Sequence, residues 1–209
     1  MILLIFREDF SFKMFRYFLF NKPFNVITQF SASEGKQTLA DFLKVPRDVY
    51  PIGRLDYDSE GLLVLTNDKN LHYHLLDPRF QHPREYHVQL DGAITEEAIL
   101  RLQRGVEISI DGKIYHTKPA RVKIFSESPR VPERNPPIRF RKNIPTSWIS
   151  IQLTEGKNRQ VRKMTAAVGY PTLRLIRTSI GNATVDTLNP GEYIELTRGE
   201  IYPLLGVKS

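Results

Sequence analysis

Four apolar residues in a row, Leu62-Leu63-Val64-Leu65, run into the turn formers Thr66-Asn67-Asp68. A short unbroken apolar run closed in this way predicts a strand buried on both faces. Immediately ahead of it, Gly53-Arg54-Leu55-Asp56-Tyr57-Asp58-Ser59-Glu60-Gly61 forms a glycine-bounded loop with one arginine and several carboxylates. A charged loop mounted on a rigid strand can be a solvated turn or a place for chemistry.

Elsewhere the pattern alternates between periods of two and of 3.6 residues. Residues 16–21 predict a strand ending at Lys22-Pro23, and 24–30 a second extended piece. Thr38 opens a short predicted helix with Leu39, Phe42 and Leu43 on one face, stopped by Pro46. Residues 71–76 predict another, ended by Asp77-Pro78. From Arg84 to Leu90, Tyr86, Val88 and Leu90 share one strand face, and Glu85, His87 and Gln89 the other. Thr95 caps a helix with Glu96 and Glu97 in its first turn, where the helix dipole favours them, and Gly105 ends it. Residues 106–110 and 113–116 predict a hairpin about Asp111-Gly112, followed by a strand at 119–125. Ile149, Ile151 and Leu153 mark one face of a strand over 148–153. Val161, Met164 and Val168, at i, i+3 and i+7, mark the buried stripe of a helix that Gly169 and Pro171 end. Strands at 173–176 and 193–197 complete the pattern. Strands outnumber helices without alternating with them one to one, which predicts an α+β fold with a largely antiparallel sheet.

Composition narrows the function. At 209 residues and 41% hydrophobic, the chain suffices for one large domain or two small lobes. Thirty Lys and Arg against 23 Asp and Glu give +7, which favours a polyanionic partner, nucleic acid before membrane. With no cysteine, disulfides and thiolate metal sites are excluded. Residues 1–20 are rich in Ile, Leu and Phe, but Arg7, Glu8, Asp9, Lys13 and Arg16 interrupt them, so neither a membrane span nor a signal peptide is expected. Residues 1–15 are read as an N-terminal extension, with Met14 as an alternative start. A cytoplasmic monomer without membrane contact is expected.

Two basic stretches stand out. Residues 126–145 hold Pro129, Pro132, Pro136, Pro137 and Pro145, with Arg130, Arg134, Arg139, Arg141 and Lys142 against Glu133 alone. Proline at this density forbids helix and sheet interior. The segment is a stiff basic arm, either a linker or a grip on a phosphate backbone through residues such as Arg139 and Arg141. Lys157, Arg159, Arg162, Lys163, Arg174 and Arg177 fall between Gly156 and Thr178 with no acid among them. Arg159 and Lys163 are i, i+4 neighbours that repel unless anions neutralise them. Arg162 lies beside the buried stripe and is placed to point towards a carboxylate. Tyr86, mid-strand on the apolar face, is either a core residue or a platform for an unpaired base. The His72-x-His74 spacing fits no metal motif, and there is no P-loop or dinucleotide fingerprint. Asp56 with Asp58 or Glu60 admits a glycosidase pair, but no other feature points to a neutral sugar.

These pieces together resemble the small-subunit (RsuA-like) family of pseudouridine synthases. The resemblance rests on Phe20-Asn21-Lys22-Pro23, Gly53-Arg54-Leu55-Asp56, residues 61–68, Glu85-Tyr86-His87-Val88, residues 155–164 and residues 173–181, in order over about 16–200. Residues 134–139 and 144–148 look like the branch that acts on large-subunit rRNA. The resemblance implies a catalytic domain over 16–209, built as two interleaved lobes that share a mixed, largely antiparallel sheet with a cleft between them. It implies isomerisation of a uridine in 23S rRNA, naked or in an assembly intermediate, without metal or cofactor. Asp56 matches the nucleophile, Tyr86 the tyrosine that packs on the flipped base, and Arg162 the basic partner of the aspartate. Arg54 matches the arginine assisting base flipping and Leu175 an apolar wall; Lys157, Arg159 and Lys163 would add RNA contacts. Two departures are visible. The residues before Arg16 are too few for the S4-type RNA-binding domain of most relatives, and Ser59 stands where threonine is common. The rival expectations are an RNA-binding or ribosome-assembly factor with dispensable catalysis, and a glycosidase that would release free uracil.

Overall fold

The apolar run at 62–65 is the middle of a strand, Glu60–Thr66, buried along its whole length in the computed structural model, which describes residues 14–138 and 144–208. Its alternate residues feed different cores. Leu62 and Val64 pack with Tyr17, Leu19, Leu71 and Leu75, whereas Leu63 and Leu65 pack with Phe18, Phe20, Val26 and Leu39. A strand with apolar layers on both sides has no reason to alternate, hence the unbroken run.

In chain order the elements are β1 (Tyr17–Lys22), β2 (Val26–Ile27), β3 (Gln37–Thr38), β4 (Tyr50–Pro51), β5 (Glu60–Thr66), α1 (Lys69–Leu76), β6 (Arg84–Asp91), α2 (Glu96–Arg104), β7 (Glu107–Ile110), β8 (Lys113–His116), β9 (Arg121–Ile124), β10 (Thr146–Leu153), α3 (Gln160–Ala167), β11 (Thr172–Ile180), β12 (Ala183–Thr184), β13 (Tyr193–Leu196) and α4 (Arg198–Leu204). The main sheet runs β13-β1-β5-β11-β6-β10-β9, with β12 on β11 and β4 on β5. All its pairings are antiparallel except β5 with β11, where Glu60 and Gly61 meet Ile176 and Arg177. The sheet is therefore mixed but largely antiparallel, as expected. That central joint divides two lobes. The chain builds β1 to β5 in the first and β6 to α3 in the second, then returns through β11 to finish the first. A separate core of Val88, Leu90, Leu102, Val122, Ile149, Ile151, Val161 and Met164 fills the second lobe.

Several expectations change in detail. The helix expected after Thr38 is a single 3₁₀ turn, Leu39–Asp41, and the extended piece at 24–30 pairs only through Val26–Ile27. Helix α4 was not foreseen, because Pro203 lies inside it. It forms because a Thr197–Glu200 capping box starts it and Tyr202 anchors it, donating at 2.7 Å to Asp68 Oδ2. The described part of the basic arm, 126–138, contains no helix or strand. It lies against the body: the Arg134 guanidinium sits 4.1 Å from the centre of the Phe24 ring and donates to the Leu173 carbonyl at 3.4 Å. Arg130, Val131 and Pro132 border a cavity of about 690 Å³ that also touches His87, so the polar face of β6 is half-buried rather than solvated. Arg139 and Arg141, the residues expected to grip phosphate, lie outside the described residues, as do residues 1–13 of the extension.

Candidate functional site

The loop at 53–59 is braced by the segment that precedes it in the chain. Thr28 Oγ1 donates to the Leu55 carbonyl at 2.7 Å and accepts from the Leu55 N–H at 3.3 Å. The Asn25 N–H donates to the Tyr57 carbonyl at 3.0 Å, and the Ser59 N–H to the Asp56 carbonyl at 3.0 Å. Beneath it lies Lys22, wholly buried, whose Nζ donates to the Pro23 and Val26 carbonyls at 2.8 Å each. Burial pushes the Lys22 ammonium down to about 7, against the opposing pull of Glu60, Asp58 and Asp56. In the unfolded chain this lysine keeps its proton to about 10.5. Between those values the unfolded state binds more protons, so stability rises with pH. The melting temperature is expected to climb from about pH 7 to 9.5 in the wild type and to stay flatter in Lys22→Met; parallel curves for the two proteins would refute this.

Between the lobes opens a cleft of about 400 Å³. Arg54, Asp56, Tyr86, Lys157, Arg159 and Leu175 all line it, although they come from the loop, β6, the approach to α3, and β11. Leu175 is buried in its wall and Arg54 is exposed at its rim, while the Asp56 side chain is 37% exposed. Arg162 and Lys163 are not part of the lining.

The acid-free stretch from 156 to 178 finds its anions in the loop, about a hundred residues away. Arg159 makes a two-pronged contact with Asp58, Nη1 to Oδ1 at 2.9 Å and Nη2 to Oδ2 at 2.7 Å, and its Nη1 lies 3.7 Å from Asp56 Oδ2. Arg162 also turns to Asp58, its Nη2 donating to the Asp58 carbonyl at 2.6 Å and its Nε lying 3.4 Å from Oδ2. Burial alone would raise the Asp58 carboxyl, but Arg159 and Arg162 outweigh it and hold the group below its ordinary range. Arg162 therefore stands behind the loop, on the neighbour of Asp56. Asp56 itself is left open to the cleft, with Arg159 as the cation nearest to it among these contacts.

Several contributors escaped the sequence reading. Arg174 and Glu60 form a buried two-pronged pair at 2.7 and 2.8 Å that ties β11 to the end of the loop. Glu155 accepts from Tyr115 Oη at 2.5 Å, from the Lys118 N–H at 2.9 Å and from Gln160 Nε2 at 2.5 Å, fixing the turn that presents Lys157 and Arg159. Arg84 and Arg177 add two further cations to the lining. The available signal was the pair of arginines inside β11, since charge is rarely buried without a task. Among the described residues no three His, Asp or Glu side chains come together to hold a metal ion, and no helix is long and apolar enough to cross a membrane.

The chain is 51% identical over 179 residues to ribosomal large subunit pseudouridine synthase E of Vibrio vulnificus, covering 86% of this chain and 74% of that protein. It is 50% identical over 174 residues to the protein of that name in Xanthomonas axonopodis pv. citri, covering 82% and 89%. A crystal structure of a pseudouridylate synthase superposes with a TM-score of 0.74 at 27% identity, covering 91% of this chain and 74% of that one. Residues 16–167 match the model of the RNA pseudouridylate synthases, and the chain belongs to that family.

Proposed function

We propose that the cleft isomerises a uridine of large-subunit (23S) rRNA to pseudouridine, with Asp56 as the nucleophile. The observation that supports this best is the placement of Asp56. It is a half-exposed carboxylate in one cleft with Tyr86, while the carboxylate beside it is taken up by two arginines. Arg159 Nη1, 3.7 Å from Asp56 Oδ2, sets a positive charge beside the attacking group. An Asp56 carboxylate oxygen bonds to the C1′ carbon of the flipped nucleotide as the bond from C1′ to uracil N1 breaks; the base turns, and its carbon 5 bonds to C1′ as the bond to Asp56 breaks, freeing the carboxylate. One proton leaves carbon 5 and one returns to N1, so the mass is unchanged. Extruding the base costs a few kcal/mol, and stacking on Tyr86 returns about 1 to 3 kcal/mol. Arg54 at the rim assists the flip, Leu175 walls the base, and Lys157, Arg159 and Lys163 meet the flanking RNA. The large-subunit name carried by the synthase E relatives supports that choice of RNA; our reading further has the chain act in the cytoplasm, as a monomer, on rRNA or on assembly intermediates.

The test is release of tritium from carbon-5-labelled transcripts of large- and small-subunit rRNA. Release from the large-subunit RNA without free uracil is expected. Free uracil would mean a glycosidase, and no release from RNA or from assembly intermediates would mean a binding factor. The basic arm gives a second expectation. Arg139→Ala with Arg141→Ala should weaken RNA binding and lower the salt-dependence slope by about 1.4 to 1.8, the value of two lost phosphate contacts. An unchanged slope would make the arm a linker.

A further inference from the structure

Arg177 is a buried cation in the cleft wall that the proposed reaction does not use. It is 5% exposed, faces Tyr86 directly across the pairing of β11 with β6, and lines the cleft with it. Its Nε donates to the Leu62 carbonyl at 2.7 Å, whereas its Nη2 is buried with no hydrogen-bond partner. Burial pushes the guanidinium down, the Tyr86 phenol opposes that, and Arg84 reinforces it; no carboxylate figures among these influences. Lys22 feels Arg177 as a further like charge. Arg174, three residues away on the same strand, has Glu60 as a full partner. A buried, unpaired guanidinium is costly to keep and marks a functional place.

We propose that Arg177 is the positioning residue of Tyr86: its guanidinium, anchored on the Leu62 carbonyl, fixes the tyrosine hydroxyl and with it the plane of the ring offered to the base. A guanidinium carries only donors, so the phenol oxygen can only accept from it. The phenolic proton is thereby turned away from Arg177. Because the anchor is a backbone carbonyl of β5, the ring is tied to the strand that carries the Asp56 loop. The role towards the base rests on the synthase reading; the pairing of Arg177 with Tyr86 across β11 and β6, on which the proposed contact is built, does not.

The full chain labelled with 3-fluorotyrosine tests this. Of the nine tyrosine resonances, Tyr86→Phe identifies one. In Arg177→Met that resonance should shift and broaden while the other eight hold; an unmoved resonance overturns the proposal. In single-turnover tritium release, Arg177→Met should slow the reaction about 10- to 100-fold, the scale of a small misplacement of a reacting group. Arg177→Met combined with Tyr86→Phe should be no slower than the slower single variant. Multiplied losses would mean that Arg177 acts independently of Tyr86 and would also overturn it. Should Arg177→Met not fold, Arg177→Lys, which keeps the charge and loses the fork, is held to the same two criteria. A wild-type protein that releases no tritium while the resonance moves would sink the synthase reading and leave the contact standing.

Discussion

Asp56→Asn is expected to slow isomerisation by roughly 10⁴-fold or more, the order lost when a covalent nucleophile is removed, while RNA affinity stays within about threefold. The change is nearly isosteric, so the cleft keeps its shape, but an amide cannot supply the attacking oxygen. The surroundings predict that little else is disturbed. The contact of Asp56 with its neighbours runs through its backbone carbonyl, which accepts from the Ser59 N–H, and a 3.7 Å approach to Arg159. Arg159 remains tied to Asp58 by two shorter contacts after the substitution. The melting temperature should therefore be unchanged, and the loss should be confined to single-turnover tritium release. A rate near that of the wild type would remove Asp56 from the nucleophile's role. Asp58→Asn is the contrasting variant: it weakens the anchor of both Arg159 and Arg162, so its loss of rate should come with a loss of stability.

How much of this was legible in the residues depends on the range of the interaction. Strand β5 could be read from four consecutive apolar residues, and the α3 stripe from Val161, Met164 and Val168, because burial is written into local periodicity. The loop could be marked as unusual by its charges. What the loop pairs with could not be deduced from spacing. Asp58 meets Arg159 across 101 residues, and Glu60 meets Arg174 across 114, contacts that form only when the loop, the start of α3 and β11 come together in the folded chain. Six basic residues without a local acid were a sign that their counter-charges came from elsewhere, but not which carboxylate each would take. Arg162 shows the consequence, since it settles on Asp58. Helix α4 was hidden for another reason: Pro203 contradicts helix locally, and burial of Tyr202 and Ile201 overrides it. The alternation of β6 marked Val88 and Leu90 correctly as core, yet its polar face is half-buried as well, His87 bordering a cavity shared with an arm that the sequence left as either a linker or a grip on phosphate.

Gly61→Ala should have the largest effect on stability. Gly61 lies in the parallel joint of β5 with β11, opposite Arg177, at φ +104°, a conformation that side chains rarely adopt. A Cβ there would lie 2.2 Å from the Arg177 carbonyl oxygen and 2.8 Å from its nitrogen, both backbone atoms that cannot rotate away. Conformational strain of about 1 to 3 kcal/mol adds to overpacking of about 1 to 3 kcal/mol. The sum is comparable with the whole stability of a marginal domain, about 5 to 15 kcal/mol. Chemical denaturation should thus show a loss of about 2 to 6 kcal/mol, or no folded baseline at all. Gly35→Ala separates the two causes, since Gly35 has φ +67° but nothing within 4 Å of the added Cβ; it should lose only the conformational part. Equal losses at both positions would mean that close approach of the strands contributes nothing. The same geometry links stability to the site. The backbone of Arg177 passes over Gly61, its side chain holds the Leu62 carbonyl, and Glu60 before it holds Arg174. Any displacement that relieves the overlap at Gly61 must move the end of the Asp56 loop relative to Arg177 and Tyr86. Whatever fraction of Gly61→Ala remains folded should therefore turn over more slowly per molecule, whereas folded Gly35→Ala should keep the wild-type rate.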